Sequence, residues 1–485
     1  MSKLIAGTFT GLFKAGKWLY GQQRLSKETG ARFATPSEIK ALTRSSNTGV
    51  LIDGRNKRLS NIDSFQAVGI FSPPGRGKTS GYIIPNILDK ARQNCSMLVS
   101  DPSGEIFEHT SGYLKSRGFD IHVLCPSEVE YSSQFNPFDG LDHRHIDEIG
   151  MLCQSIILSK YGGDKEQIWN DGALDIQETL AKCLAYSRPD MLNLPNLNYL
   201  IQRFGADGRS LDDWVAENST NPNIPTDTTV VDAWKSLISQ QEKMLSSFAT
   251  IARTSLKPFN NRQVQELFFG NDIDFSRFRK RKTIVFIKLK ENKMQYYQFL
   301  IDLFYTKFFS AMTSAIPSRR ELDVYCFLDE FGHAYVHNFP TIINNIRKYR
   351  VSLSLVFQSV SQITNKYGQE GGKTIKSAIS NYLVFAGADM ETAREQSQKI
   401  GKRVIQQKAS FDDHVDKYNQ LDLMPPESIR TLDANKLLFL SGNHHPFVTE
   451  FTPYYERSSP YRSASKKKAF SLPHRGSRSA NRLVI

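Results

Sequence analysis

From about Ile62 onward, short apolar runs alternate with stretches of helical periodicity. The runs SFQAVGIF (64–71), SMLVSD (96–101), DIHVLCP (120–126), TIVFIKL (283–289), DVYCFLDE (323–330), VSLSLVFQ (351–358) and NYLVFAGA (381–388) are rich in β-branched and aromatic residues. Nearly continuous apolar runs of this length are expected of strands covered on both faces, as in a parallel sheet. Helical patterns separate them, among them GEIFEHTSGYLKSRG (104–118) and a long helix expected over about 294–314. Such alternation predicts an α/β fold with a mainly parallel sheet. Between about Leu141 and Asn271 the pattern changes. HIDEIGMLCQSIILSKY, EQIWNDGALDIQETLAKCLAYS, NLNYLIQRFG and VVDAWKSLISQQEKMLSSFATIARTSL carry helical spacing without strand signals, which predicts an inserted all-α domain. The expected division is an N-terminal segment over 1–60, an α/β domain over 61–140 and 272–457, the helical insertion over 141–271, and a tail over 458–485.

A chain of 485 residues exceeds one compact core, in keeping with that division. Lys and Arg number 62 against 49 Asp and Glu, a formal charge of +13, which favours polyanionic partners: nucleic acid or an anionic membrane face. The excess is uneven. After Glu456 there is no acid, while Arg457, Arg462, Lys466, Lys467, Lys468, Arg475, Arg478 and Arg482 follow. From Ser458 the chain is Ser, Lys and Arg with little apolar content, and a disordered basic tail is expected. It could meet DNA phosphates or anionic lipid, or simply be solvated. The five cysteines are scattered and never form a CxxC pair, which argues against a disulfide framework or zinc site and for buried small side chains.

No stretch reaches the ~20 apolar residues of a transmembrane helix. LIAGTFTGLF near the start, drawn as a helix, gathers Ile5, Phe9, Leu12, Phe13, Leu19 and Tyr20 on one side and keeps Lys3, Lys14 and Lys17 away. Such a helix could lie on a membrane surface or pack against the body; Gly7, Gly11 and Gly16 weaken it.

Candidate chemistry begins at SPPGRGKT (72–79). In the pattern GxxxxGK[ST], glycines let main-chain N–H groups face phosphate oxygens, the lysine reaches the β- and γ-phosphates, and the hydroxyl binds magnesium. Ser72 replaces the first glycine, but Gly75, Gly77, Lys78 and Thr79 are in place between a predicted strand and a predicted helix. Pro74, Gly75, Arg76, Gly77, Lys78, Thr79 and Ser80 are therefore the expected ATP-binding loop. Pro85 lacks an N–H and should free the Gly81 carbonyl within the first helical turns, a tolerable kink. The second half of the site is expected at DVYCFLDE, where Asp329 would share Mg²⁺ with Thr79 and Glu330 would polarise water. Two acids closing an apolar strand are costly to bury without a cation or hydrogen bonds. Gln358, at the tip of VSLSLVFQ, could sense the γ-phosphate or position water. NNIRKYR supplies Arg347, Lys348 and Arg350; an arginine finger for an adjacent subunit and a solvated basic face are equally open there. His333 and His337 share a helix-like spacing, but no third ligand accompanies them.

As an ordered series, these segments resemble the coupling proteins of type IV secretion and conjugation systems, the TraG/TraD-like ATPases. YGQQRLSKETGARFATPSEIKAL, SPPGRGKTSGYIIPNIL with its Pro-Asn, VSDPSGEIFEHTSGYLKSRGFDIHVLCP, SSQFNPF, FLDEFGHA, IRKYRVSLSLVFQSVSQITNKYG and SNYLVFAGADMETAREQSQKIG carry the resemblance from about Leu19 to Ile405. It implies a RecA-like nucleotide-binding domain with an all-α insertion, assembled as a ring of six around a channel. ATP hydrolysis would recruit a relaxase–DNA complex, with single- or double-stranded DNA, or a protein substrate, and move it to the secretion channel. By matching position, Lys78 and Thr79 would hold phosphate and Mg²⁺, Asp329 and Glu330 would be the acid pair, Gln358 would lie near the γ-phosphate, and Arg347 would be the finger in trans. The inserted helices would cap the cytosolic end of the ring and help choose the substrate. Most members carry N-terminal transmembrane helices, and this chain starts where those should end. The expectations are peripheral contact through the first residues, recruitment by a membrane partner at the cytoplasmic face of the bacterial inner membrane, or a soluble motor. Two other readings share the loop. An FtsK-like DNA translocase is disfavoured by the long insertion after the third predicted strand, and a non-hydrolysing docking adaptor by intact Glu330.

Overall fold

The computed structural model describes residues 27–161, 167–289, 291–336, 338–407, 417–475 and 480–485. The amphipathic reading of the first twenty residues lies outside them. Among the described residues no helix is long and apolar enough to cross a membrane.

The strands in chain order are β1 (Lys27–Gly30), β2 (Val68–Phe71), β3 (Cys95–Ser100), β4 (Asp120–Leu124), β5 (Thr283–Ile287), β6 (Asp323–Leu328), β7 (Val351–Phe357), β8 (Asn381–Phe385), β9 (Lys402–Gln407), β10 (Lys417–Asp422), β11 (Lys436–Ser441) and β12 (His444–Glu450). Nine of them form one sheet in the order β12-β11-β8-β2-β7-β6-β3-β5-β4. From β4 across to β8 every neighbouring pair is parallel, and β11 and β12 add an antiparallel edge. This is the expected mainly parallel α/β sheet.

Side chains alternate strictly between two cores. Val324, Cys326 and Leu328 of β6 enter one core, and Tyr325 and Phe327 enter the other. Strand β7 shows why VSLSLVF holds serines at buried positions. Ser354 Oγ pairs with Tyr82 Oη at 2.8 Å, and Ser352 Oγ donates to the Ser64 carbonyl at 2.9 Å. Each hydroxyl is satisfied by a neighbouring layer, as a buried polar group must be.

The strand expected over SFQAVGIF is shorter than its apolar run. Residues Asn61–Ser64 form a helical turn, and Ala67 has φ 55°, a left-handed conformation that interrupts the extended chain before Val68. The described helices from Ile146–Tyr161 to Arg262–Glu266 send apolar side chains into one of the two sheet cores, so the inserted all-α domain is packed onto the sheet. Its first long helix, Ile146–Tyr161, is tied to Glu291–Thr313 by Glu148–Lys307 at 2.8 Å, Ser155–Thr306 at 2.9 Å and Ser159–Asp302 at 2.9 Å.

The described part of the expected disordered tail is instead packed, a correction to the compositional reading. Tyr461, fully buried, donates its hydroxyl to Asp89 at 2.9 Å. The Lys468 carbonyl comes so close to Gly112 that a Cβ there would sit 1.9 Å from it. Phe470 N–H reaches Ser111 Oγ at 2.9 Å, Arg475 pairs with Asp272, and Leu483 N–H reaches Asn196 Oδ1 at 3.0 Å. A few widely spaced anchors, Arg475 among them, seat this segment while Lys466, Lys467 and Lys468 stay exposed.

Candidate phosphate-loop site

Because β2, β7 and β6 are adjacent and parallel, their carboxyl ends emerge side by side. Open α/β sheets bind ligands at that edge. The loop after β2, Gln358 after β7 and Asp329–Glu330 after β6 all lie on it.

Four side chains converge. Lys78 Nζ is 3.0 Å from Asp329 Oδ1 and 3.8 Å from Glu330 Oε1, and Thr79 Oγ1 donates to Asp329 Oδ2 at 3.4 Å. Lys78 and Asp329 are both buried. Lys78 thus shares its charge between two carboxylates, and a divalent ion bound beside Thr79 would meet Asp329 Oδ2 as well. Glu330 has φ 58°, and such strained backbone concentrates at functional sites.

The loop is shaped for phosphate. Gly75 and Gly77 have φ 73° and 85°, left-handed values that glycine adopts freely. No heavy atom lies within 4 Å of where a Cβ on Gly75 would be, so the loop mouth is open. Pro74, Gly75 and Arg76 are exposed, and the Arg76 guanidinium lies over Gly387 in the turn after β8. Ser80 Oγ turns back to the Gly77 carbonyl at 3.4 Å. Helix starts leave N–H groups unserved within the helix, which favours an anion at this loop.

Ser72 explains the missing first glycine. Its N–H donates to the Phe357 carbonyl at 3.1 Å, continuing the β2–β7 ladder by one residue, and it has no positive φ. Glycine is not required there.

The helix after the loop opens with a wide turn over Thr79–Ile83, in which the Ile84 N–H reaches the Thr79 carbonyl. In that register the acceptor Pro85 leaves unserved moves from Gly81 to Ser80. The Ser80 carbonyl accepts from Tyr454 N–H at 2.9 Å. Asn86, also fully buried, exchanges hydrogen bonds with the Leu51 main chain at 2.7 and 2.9 Å and donates to the Tyr82 carbonyl. The Pro-Asn pair thus fixes two outside segments to the loop helix.

Sequence reasoning missed Phe451. Its ring fills the space beside the loop, so that a Cβ on Gly77 would be 2.9 Å and one on Gly81 2.2 Å from it. A glycine inside the helix was the available signal. Asp101, in VSDPSGE, also proves structural. It accepts from the N–H groups of Gly104, Ile106 and Phe107 at 2.9, 3.2 and 2.7 Å, capping the helix Glu105–Ser116.

Gln358 is half-buried at the tip between the loop and the acids, its N–H held by Gln362 Oε1 at 2.8 Å. Arg347 does not join this group within the chain. It is exposed before β7, across about 23 Å of extended strand at ~3.3 Å per residue. Arg350 is committed to the fold: it donates to Asp323 Oδ1 and to the carbonyls of Ser318 and Glu321, at 2.7 Å each. His333 is exposed, and His337 lies outside the described residues. All five cysteines are buried thiols.

A doubly covered parallel sheet, a glycine loop aimed at an acid pair and a helical insertion define a RecA-like phosphate-loop nucleotide-binding fold. The profile of the family "Type IV secretory system Conjugative DNA transfer" matches residues 31–477, and the chain belongs to that family. Protein VirD4 of Agrobacterium fabrum (strain C58 / ATCC 33970) is 24% identical over 409 residues, which cover 80% of this chain and 58% of that protein. The chain thus spans little more than half of that relative's length. The coupling protein VirD4 of Bartonella henselae is 23% identical over 215 residues, 42% of this chain and 33% of its own. Among solved structures, the conjugative coupling protein TrwBdeltaN70 superposes with a TM-score of 0.68 at 15% identity, covering 88% of this chain and 94% of its own. TrwB has been solved with ADP and Mg²⁺, with a TM-score of 0.68 at 14% identity and coverage of 90% and 98%.

Proposed function

We propose that the chain is an ATPase that couples a relaxase–DNA complex, or a protein substrate, to a type IV secretion channel. The observation that carries this reading is the convergence of Lys78, Thr79, Asp329 and Glu330 in a chain of the conjugative DNA transfer family. Lys78 reaches the β- and γ-phosphates of ATP, and the N–H groups of residues 75–80 cradle them. Thr79 and Asp329 hold Mg²⁺, which neutralises phosphate charge when bound. Glu330 takes the proton of the attacking water, and Gln358 orients that water. Arg347, remote from its own site and exposed, serves the site of the next subunit in a ring of six. That ring works at the cytoplasmic face of the bacterial inner membrane, with peripheral contact or a membrane partner holding it there.

The test is ATP hydrolysis with and without DNA, by wild type and Lys78→Ala. Wild-type turnover stimulated by DNA, with loss of at least ~100-fold in the variant, is expected; a variant as active as wild type would overturn the reading. Nucleotide binding by wild type without phosphate release would instead mark a docking adaptor. Co-purification with chromosomal DNA rather than a relaxase would mark a translocase of the FtsK-like kind.

A further inference from the structure

The C-terminal segment forms a cavity that the phosphate-loop site does not use. Having crossed the loop helix at Tyr454, it turns along the helix Glu105–Ser116 and borders an open cavity of about 720 Å³. Arg462, Lys466, Lys467 and Lys468 line it against one carboxylate, Glu108. Lys467 is drawn to the rim by Ser116 Oγ at 2.9 Å and lies over the Tyr113 ring. Arg462, Lys466 and Lys468 have no carboxylate within 4 Å among the described residues. Three cations on one wall without acidic partners repel one another, and a polyanion relieves that repulsion.

The same lining carries aromatic rings. His109 and Tyr454 lie 4.9 Å apart, Tyr454 meets Tyr455 edge-on at 5.4 Å, and Tyr455 is 58% exposed. An exposed ring beside unpaired cations is the arrangement by which proteins hold single strands, with bases stacked on rings and phosphates on Lys and Arg. The volume falls within the range of small-ligand pockets, enough for a nucleotide or two. A membrane surface fits it poorly. The cavity is concave and carries no protruding aliphatic side chain, whereas interfacial binding buries an apolar face.

We propose that this cavity binds single-stranded nucleic acid, with Tyr455 stacking on a base and Arg462, Lys466 and Lys468 contacting successive phosphates. Its place in a DNA-coupling motor rests on the function proposed above; the binding does not, and is measured without nucleotide. The cavity shares Tyr454 with the phosphate loop, whose Ser80 carbonyl takes that residue's N–H at 2.9 Å.

The experiment titrates the full chain with a fluorescent oligo-dT against salt, for wild type, Tyr455→Ala, Tyr455→Phe and the triple variant Arg462→Ala/Lys466→Ala/Lys468→Ala. Losing one stacked base is expected to weaken binding roughly 10-fold in Tyr455→Ala, with Tyr455→Phe restoring it. Losing three phosphate contacts is expected to lower the slope of log K against log salt by about 2 in the triple variant. Unchanged affinity in Tyr455→Ala together with an unchanged slope in the triple variant would overturn the proposal. Anionic phosphatidylserine vesicles form the second arm. Variants that lose vesicle binding while keeping oligo-dT binding would assign the cavity to lipid and overturn it equally. If wild type binds oligo-dT as described but never hydrolyses ATP, the motor reading fails and the binding site stands.

Discussion

Strands β6 and β7 carry charged groups at both ends, and the two ends treat them differently. At the amino end, Arg350 spends its donors on Asp323 and on two main-chain carbonyls. Beside it Arg279, pushed down to about 10 by burial and by Arg350, gives its guanidinium to the carbonyls of Leu322, Arg350 and Tyr349. At the carboxyl end, Lys78 has two side-chain carboxylates as its partners. A cation held by main-chain carbonyls is held by atoms that cannot move away. Lys78, held through side-chain carboxylates, would be free to pass to a phosphate in the function proposed above. The amino end is thus built to stay and the carboxyl end to exchange.

The largest expected effect falls at the exchanging end. Glu330→Gln keeps the shape of the site and removes the proposed proton acceptor, so turnover should drop ~100- to 10,000-fold while binding of a non-hydrolysable ATP analogue persists. Parallel measurements of kcat and analogue affinity check this. Equal loss of both would make Glu330 a binding group and erase the contrast between the ends.

The next effect belongs to the fixed end. Arg350→Ala removes three hydrogen bonds and leaves Asp323 without its cation, at a cost of about 4 kcal/mol in urea unfolding. Arg347→Ala, three residues earlier and exposed, should change stability by less than about 0.5 kcal/mol and lower kcat only in the assembled protein. Comparable unfolding midpoints for the two variants would refute the division.

Those two arginines also mark what the sequence could express. Both stand in NNIRKYR with no local signal to separate them; Arg350 is set apart by φ 52° and by carbonyls thirty residues away. The parallel strands were legible because burial on both faces writes a continuous apolar run. The loop and the acid pair were legible because their chemistry is local. Strands β1, β9 and β10 pair antiparallel in a separate small sheet, and the polar sequences KETG, KRVIQQ and KYNQLD carry no run of that kind. The C-terminal segment reads as disordered because single anchors, Tyr461, Phe470 and Leu483, are spread among cations. Phe451 and Asn86 act through contacts distant in the chain, which no local pattern reports.

A third kind of site lies beyond the carboxyl end, where an acid is buried without a cation as a hydrogen-bond partner. Asp302 is fully buried where the helix Glu291–Thr313 meets the inserted domain and the turn after β6. It accepts from Tyr335 N–H and Gln298 Nε2 at 2.8 Å each, and from Ser159 Oγ at 2.9 Å. Burial pushes its pKa up to about 6, against the pull of Lys366 and of the three donors. The folded value therefore lies above the unfolded one, near 3.9. Below pH ~4 both states are protonated and the native state keeps its full stability. As pH rises from about 4 to 6 the unfolded chain ionises first, and the native state loses up to about 3 kcal/mol, a loss complete above pH 6. Asp302→Asn retains an acceptor for Tyr335 and Gln298 and can donate to Ser159, so it removes the ionisation without emptying the site. Urea unfolding of both proteins at pH 4.5 and 7.5 should give the variant a larger advantage at the higher pH. A difference independent of pH would mean that Asp302 is ionised in the fold, held like the groups at the amino end and not like a neutral link to the helical domain.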